Sequence, residues 1–288
     1  MILADFILPS RANQRWPYSG IDGPEHCLDK KHFESYPYTV EYNYNSRGYR
    51  DQEWPTDTQN LKQAIWCVGD SFTVGVGSPM SHTWPWILQQ TTQHRTINVS
   101  MDGASNNWIA RKAIRVLQEI SPKIIIIQWS YIARRESGLE ECLNREWDRF
   151  YQNTRDDSWP DCARDQQHNL PTHILQEIDT LHGGWNEKEI FPHDEWRMLQ
   201  YIRCSEEDDI ANTLTCIRNV QDCADDTVVI NSFIPGFVPD KHKGVIEAQT
   251  SGLVIPEIAR LDRARDGHHY DIRTSEFFVN QLQSLLKL

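Results

Sequence analysis

Short apolar runs alternate with amphipathic stretches along most of this chain. Runs rich in Ile, Val or Cys are typical of strands that are buried on both faces. They lie at 64–69, 96–99, 123–129 and 227–231, with a shorter one at 253–255. The helical period between them predicts helices over 82–91, 106–120, 214–223 and 275–286. Because parallel strands need crossover connections, this alternation predicts an α/β fold with a mainly parallel central sheet.

Two regions depart from the alternation. Residues 1–60 are rich in Tyr, Pro and Asn, which predicts an irregular β-containing N-terminal extension packed on the core. Residues 137–210 are charged, carry several tryptophans and show little strand character. Compact domains rarely carry a structureless loop of that length. We therefore interpret 137–210 as a helical insertion in the main α/β domain, which spans 61–288.

The composition is that of an acidic globular protein. The 288 residues are 39% hydrophobic and carry a net charge of −12, which repels phosphate backbones and argues against nucleic-acid binding. No apolar run approaches the ~20 residues needed to span a bilayer. The opening residues have no basic segment, and Asp5 interrupts their apolar stretch, so we expect no signal peptide and a cytoplasmic protein.

No metal is expected. The seven cysteines are spread over the chain without a CxxC pair, so neither a zinc ribbon nor a redox motif is present and we expect reduced thiols. The histidines at 168, 173, 182 and 193 show no HExxH motif and no paired-ligand spacing.

Polar residues follow the predicted strands at their carboxyl ends, where open parallel sheets bind ligands. Ser71 comes just after the first strand, Gly103 after the second and Ser130 after the third, while Asp266 and His269 precede the last helix. An imidazole that removes a serine proton, and a carboxylate that orients the imidazole, are the parts of nucleophilic acyl transfer. The amides of Ser71 and Gly103 are candidate donors to the developing oxyanion.

Spacing distinguishes between two adjacent histidines. Asp266 and His269 are three residues apart, a separation that brings two side chains to one face of a helical turn. We therefore assign the role of base to His269 and treat His268 as a neighbour of the site.

At these residues the chain resembles the SGNH/GDSL serine hydrolases. The likeness lies in Gly69-Asp70-Ser71, Gly103 and the D-x-x-H block at 266–269, in that order, together with the upstream segment Asn45-Ser46-Arg47-Gly48-Tyr49-Arg50. The resemblance implies the SGNH hydrolase fold, a flavodoxin-like three-layer α/β/α arrangement, and ester chemistry without metal or cofactor. It also implies that Ser71 is the nucleophile, His269 the base and Asp266 its orienting partner.

The third block departs from the family pattern. The family usually has Gly-x-Asn-Asp there, with the Asn side chain as an oxyanion donor, whereas this chain has Gln128-Trp129-Ser130-Tyr131. We therefore place Ser130 in the oxyanion hole beside Ser71 and Gly103, because a hydroxyl also donates. Arg50, Arg134 and Trp129 are candidate substrate-binding residues.

The sequence thus favours a serine esterase that removes a short acyl group, such as acetyl, through an acyl–Ser71 intermediate. The substrate would be a small-molecule or glycan ester, and the eleven tryptophans favour a carbohydrate because aromatic faces stack on sugars. Two alternatives stay open: a sugar O-acyltransferase that uses the same triad, and a non-catalytic glycan- or protein-binding module on the same scaffold.

Overall fold

The computed structural model describes residues 3, 6–8, 11–19, 22–24, 27, 29–132, 134, 206–238, 240–250 and 252–286, and the elements below are numbered within them. The insertion predicted at 137–210 lies outside these residues, except for 206–210, which are helical. Within the same ranges, no helix combines the length and the apolar character that crossing a membrane requires.

The N-terminal sixty residues contain short elements. Strand β1 (Arg15–Trp16) pairs antiparallel with β2 (Tyr42–Asn43). Helices α1 (Lys30–Ser35) and α2 (Thr58–Gln63) each begin after an aspartate whose carboxylate accepts a first-turn amide. Leu3, Phe6 and Leu8 belong to the same buried cluster as the central sheet.

A five-stranded parallel sheet forms the centre of the fold. Its strands are β3 (Ile65–Gly69), β4 (Thr96–Ser100), β5 (Ile124–Trp129), β6 (Val228–Phe233) and β7 (Leu253–Ile255). They lie in the order β4-β3-β5-β6-β7, which is the 2-1-3-4-5 order of flavodoxin-like folds. The predicted fold class is confirmed.

Helices flank the sheet and complete a three-layer α/β/α arrangement. Helix α3 (Ser71–Val74) follows β3 directly, and α7 (Asp240–Gln249) precedes β7. Helix α4 (Trp84–Thr92) packs against α8 (Ile272–Leu286), while α5 (Asn106–Ile120) packs against α6 (Glu206–Asp222). The predicted stripe of α5 is buried, with Ile109, Ala113 and Val116 all in the core.

Three helices differ from the predictions on their N-terminal side. Helix α6 includes residues 206–213, which precede the predicted start at Leu214. Helix α4 starts at Trp84, after a 3₁₀ turn at Met80–His82, because Pro85 is tolerated only in a first turn. Helix α8 starts at Ile272, three residues before the predicted Ser275.

The register of the sheet brings three polar loops together. In β3, Gly69 pairs with Ser100 of β4, and Val68 pairs with Ile127 of β5, so the carboxyl ends of these three strands lie side by side. The residues that follow each strand therefore meet at one edge of the sheet.

Candidate active site

Ser71 is the first residue of α3 and its side chain is fully buried. The preceding Asp70 shapes the turn, since its Oδ1 accepts the Phe72 amide at 3.0 Å. The Phe72 ring packs on the imidazole of His269, with ring centroids 4.5 Å apart. The strand, the capped turn and the aromatic contact together place the serine hydroxyl beside an imidazole.

The structure brings Ser71, His269 and Asp266 together, although Ser71 and His269 are 198 residues apart in the chain. The Ser71 hydroxyl lies 2.8 Å from His269 Nε2, and His269 Nδ1 lies 2.5 Å from Asp266 Oδ2. The other oxygen of Asp266 accepts the amides of His268 and His269, each at 3.0 Å, which fixes the carboxylate against its own turn. This is the contact order of a serine nucleophile, a base and an orienting carboxylate.

The charges of the pair support that arrangement. Burial alone would lower the pKa of His269, but the adjacent Asp266 carboxylate, reinforced by Asp70 and Asp102, outweighs burial and raises that pKa. Burial alone would raise the pKa of Asp266, and His269 beside it holds that pKa below its usual value. The pair therefore stabilises the imidazolium form of His269, as a base oriented by a carboxylate requires.

His268 differs from its neighbour in charge and exposure. Part of its ring reaches the surface, yet the surrounding protein and the positive charge of His269 lower the pKa of His268 to about 4. Its Nε2 lies 3.4 Å from the hydroxyl of the half-buried Tyr131. His268 is thus neutral near pH 7 and forms, with Tyr131, an aromatic rim beside the triad.

Gly103 lies in the turn after β4, with φ of +69°, a conformation that glycine adopts at no steric cost. Among the described residues, no loop hydrogen bond uses the amide of Ser71 or of Gly103. Both N–H groups are therefore available to an oxyanion that develops on a substrate bound at Ser71.

Ser130 is held in a different way from the one we expected. Its hydroxyl donates to Asp70 Oδ2 at 2.6 Å and accepts from Arg134 Nη1 at 2.6 Å. Its backbone is held by Asn106, whose Oδ1 accepts the Ser130 amide at 2.8 Å. Because the hydroxyl proton is used on Asp70, Ser130 supports the turn before Ser71 and does not present its proton to an oxyanion.

Arg134 joins the three loops at the sheet edge. Its Nη1 contacts Asp70 Oδ2 at 2.7 Å, the Ser130 hydroxyl, and the Ala104 carbonyl at 3.4 Å. The guanidinium is buried and forms an ion pair with the buried Asp70. Arg134 thus neutralises the buried Asp70 carboxylate. The structure does not place Arg134 where it would bind substrate.

Arg50 and Trp129 are likewise in the interior and not at a binding surface. Arg50 donates to the carbonyls of Val74, Gly75 and Ser78 at 2.6 to 3.2 Å, so it supports the chain that follows the nucleophile helix. Trp129 is fully buried and its Nε1 donates to Asn231 at 2.8 Å. Closeness in sequence to the motif blocks was the only signal for either residue, and it did not distinguish support from substrate contact.

Sequence reasoning missed Asn106 and Asp102. Asn106 holds the backbone of Ser130 through a hydrogen bond. In the sequence, Asn106 looks like an ordinary first residue of a helix. Asp102 is buried beside Gly103 with one carboxyl oxygen that has no hydrogen-bond partner in the described part of the chain, and burial raises its pKa. Its position directly before the predicted oxyanion glycine was the available signal.

Among the described residues, no group of three or more His, Cys, Asp or Glu side chains has an arrangement that could hold a metal ion. Among the cysteines of those ranges, 27, 67, 216 and 223 are free thiols. The polar side-chain groups that meet at Ser71 are a hydroxyl, an imidazole and a carboxylate.

Comparisons with known proteins give distant likenesses only. No protein-family model and no curated protein matches the chain. It is similar to the solved structure of TesA, with 13% identity over 78% of this chain and 98% of that one, at a TM-score of 0.44. It is also similar to the psychrotrophic esterase EstA from Pseudoalteromonas sp., solved with monoethylphosphonate as inhibitor (11% identity, 78% and 97% covered, TM-score 0.39). A third likeness is to a GDSL-like lipase from Bacteroides thetaiotaomicron (10% identity, 81% and 92% covered, TM-score 0.37).

These likenesses are too remote to carry a functional argument. What the coordinates themselves define is an α/β protein of flavodoxin-like topology, with a Ser-His-Asp constellation at the carboxyl edge of its sheet. The function is argued below from that constellation.

Proposed function

We propose that this protein is a serine esterase that removes a short acyl group from an ester through an acyl–Ser71 intermediate. One observation carries the proposal: Ser71 Oγ lies 2.8 Å from His269 Nε2, while His269 Nδ1 lies 2.5 Å from Asp266. The order of Ser71, Gly103 and the D-x-x-H block, which resembles the SGNH/GDSL hydrolases, supports the same reading.

Each step uses an atom of this site. Ser71 Oγ attacks the ester carbonyl as its proton passes to His269 Nε2, and the carbonyl oxygen becomes an oxyanion that accepts from the Ser71 and Gly103 amides. His269 then protonates the leaving alcohol, and the C–O bond breaks to give the acyl–serine. A water molecule, deprotonated by His269, attacks the acyl–serine and releases the carboxylic acid and the free enzyme.

The number of hydrogen-bond donors to the oxyanion limits the turnover that we expect. The third-block Asn of the resembling family is Ser130 here, and its hydroxyl is bonded to Asp70. Loss of one oxyanion donor typically costs about 3 kcal/mol of transition-state stabilisation. We therefore expect an esterase with two backbone donors and a turnover below that of a three-donor site.

A short acyl group and a hydroxyl-rich alcohol fit the surroundings best. Because the Ser71 side chain is fully buried, a small acyl group such as acetyl reaches it with the least movement of its neighbours. The Tyr131–His268 rim offers neutral ring faces, which suit stacking on a sugar. One Asp102 carboxyl oxygen has no hydrogen-bond partner in the described part of the chain, and it is a candidate acceptor for a substrate hydroxyl. A glycan acetyl ester is the proposed substrate class.

The test is hydrolysis of an activated acetate ester by the wild type and by Ser71→Ala. We expect the substitution to abolish hydrolysis and labelling by a fluorophosphonate probe, because both need the activated hydroxyl. Ser81→Ala is the matched control, since Ser81 is exposed and lies outside the triad. Activity that survives in Ser71→Ala would reject the assignment.

Two further outcomes separate the alternatives. A wild type that is neither labelled nor active would favour a non-catalytic binding module on this scaffold. Acylated product formed when a polyol is added, in place of free acid alone, would show an acyltransferase that uses the same triad.

A further inference from the structure

Described residues of the N-terminal segment, which we define as residues 17–50, contact both loops that carry the triad. The nucleophile loop, residues 71–78, starts with Ser71, and the histidine loop, residues 264–270, contains Asp266 and His269. These loops lie nearly two hundred residues apart in the chain. Their relative position therefore depends on tertiary contacts and not on chain connectivity.

Four residues close a ring of hydrogen bonds between the two loops. The Gly77 amide donates to the Tyr42 hydroxyl at 2.7 Å, and this hydroxyl donates to Asp22 Oδ2 at 2.8 Å. Arg265 Nη2 donates to the same carboxylate oxygen at 2.6 Å. The ring closes where the Arg265 amide donates to the Gly77 carbonyl at 2.9 Å. The side chains of Tyr42 and Asp22 are fully buried, so water does not compete for these bonds.

The ring lies directly against the triad carboxylate. Gly77 has φ of +76°, and a Cβ built there would lie 3.0 Å from Asp266 Oδ1 and 3.2 Å from the Arg265 amide nitrogen. The two loops therefore approach as closely as a glycine allows. A change in the Tyr42 and Asp22 contacts moves the histidine loop relative to Ser71.

Other contacts of the same segment hold each loop separately. The Arg50 guanidinium lies over the Tyr42 ring at 4.2 Å and donates to the Gly75 and Ser78 carbonyls of the nucleophile loop. His32 Nε2 donates to the Ala264 carbonyl of the histidine loop at 2.7 Å. Tyr42 is distinct among these residues because its hydroxyl bonds to the nucleophile loop and, through Asp22, to the histidine loop.

We propose that Tyr42 and Asp22 are positioning residues of the active site, which hold the His269–Asp266 pair at hydrogen-bonding distance from Ser71. This proposal rests on the proposed function, because the position of His269 affects catalysis only if Ser71, His269 and Asp266 act as a triad. It adds that residues of the N-terminal segment, outside the three motif blocks, set the geometry of the triad. Neither residue contacts a reacting atom; each acts through Gly77 and Arg265.

The experiment compares Tyr42→Phe with Tyr44→Phe. Both substitutions remove a buried hydroxyl from the same aromatic cluster, but only Tyr42 belongs to the ring. Two readouts are used: the NMR titration of the His269 imidazole, which needs no turnover, and kcat and KM per fluorophosphonate-labelled site, which corrects for any unfolded fraction.

In Tyr42→Phe we expect kcat to fall about tenfold or more with KM nearly unchanged, because small misplacements of catalytic groups cost rate and not substrate binding. We also expect the His269 titration midpoint to fall, because Asp266 no longer sits at its best distance from the imidazole. Tyr44→Phe should leave both values at those of the wild type. Asp22→Asn keeps the shape of the side chain and one acceptor oxygen but loses the charge that faces Arg265. We expect this variant to lower kcat and the His269 midpoint by less than Tyr42→Phe does.

An unchanged His269 midpoint and an unchanged kcat per labelled site in both Tyr42→Phe and Asp22→Asn would overturn the proposal. Equal effects of Tyr42→Phe and Tyr44→Phe would also overturn it, since they would report general loss of packing. A wild type without hydrolysis or labelling would remove the esterase assignment, while the His269 titration would still decide whether Tyr42 positions the imidazole.

Discussion

Two buried His–Asp pairs lie close together in this fold, and they differ in where the serine hydroxyl sits. In the first pair, His269 Nδ1 contacts Asp266, and Ser71 contacts the opposite ring nitrogen. In the second, His82 Nδ1 contacts Asp271 Oδ1 at 2.7 Å, and the Ser78 hydroxyl donates to that same carboxylate at 3.0 Å. The same residue types are present in both pairs, but only the first has a hydroxyl positioned to give its proton to an imidazole.

The second pair is a structural junction. The Tyr36 hydroxyl donates to Asp271 Oδ2 at 2.6 Å, so a residue of the N-terminal segment, the loop before α4 and the start of α8 meet at one carboxylate. The contrast teaches that a Ser, a His and an Asp joined by hydrogen bonds do not by themselves make a nucleophile. The hydroxyl must face the nitrogen that the carboxylate does not occupy.

The different roles of the two His–Asp pairs are tested most directly by replacing each histidine in turn. His269→Gln should lower kcat/KM for an acetate ester by about 10⁶-fold, because loss of the base leaves only binding and oxyanion stabilisation. His82→Gln should leave kcat/KM within about threefold of the wild type, since its ring contacts no nucleophile. Comparable losses in both variants, at equal folded fractions, would contradict the assignment.

Replacing each carboxylate tests the second partner. Asp266→Asn should lower kcat by about 10⁴-fold, because the amide no longer holds the productive tautomer of the imidazole. Asp271→Asn should leave most of the activity and lower the free energy of unfolding by about 1–3 kcal/mol, since two hydroxyl donors and His82 lose a charged acceptor. Activity assays and urea unfolding of both variants measure this difference. Similar activity losses in the two variants would contradict the separate roles of Asp266 and Asp271.

The smallest expected effects concern pH. His269 acts as base in its neutral form, and its pKa is raised mainly by Asp266 against the effect of burial, so kcat/KM should fall with acid at a midpoint above the ordinary histidine value of about 6.5. At Asp271, burial alone would raise the pKa, but hydrogen bonds from His82 and Tyr36 hold the pKa of the folded state below that of the unfolded state. The ionised Asp271 therefore stabilises the fold at pH values above its unfolded-state pKa. This contribution is lost as the pH falls through the folded-state pKa.

Asp271→Asn should therefore keep the acid midpoint of activity and lose less stability on acidification than the wild type. A pH–rate profile and unfolding curves between pH 7 and pH 3 test both parts. A shifted activity midpoint in this variant would show that the two pairs are coupled.

The central fold could be predicted because its signals are local. Four adjacent isoleucines at 124–127 leave little alternative to a buried strand, and the stripe at Ile109, Ala113 and Val116 predicts a helix with one buried face. The short helices α1, α2 and α3 were not predicted, because a few residues give too little periodicity to detect. Their aspartate caps are what stabilise them.

The positions of the candidate triad residues were also accessible, since Asp266 and His269 lie on one turn and Ser71 comes just after a recognisable strand. The roles of Arg50, Trp129, Ser130 and Arg134 were not, because an arginine that supports a loop and one that binds an anion have the same local sequence. Only the acceptors that the guanidinium finds in the folded chain distinguish the two, and these come from distant segments.

By itself, the sequence determined the alternation of strands and helices, the polar character of the strand ends and the residue types available for acyl transfer, because these depend on neighbours a few positions away. The tertiary structure decided which serine faces an imidazole nitrogen, which carboxylates serve only as junctions, and that Tyr42 and Asp22 join the loops of Ser71 and His269. Hydrogen bonds over distances near 3 Å depend on the meeting of segments remote in the chain, and no local pattern encodes that meeting.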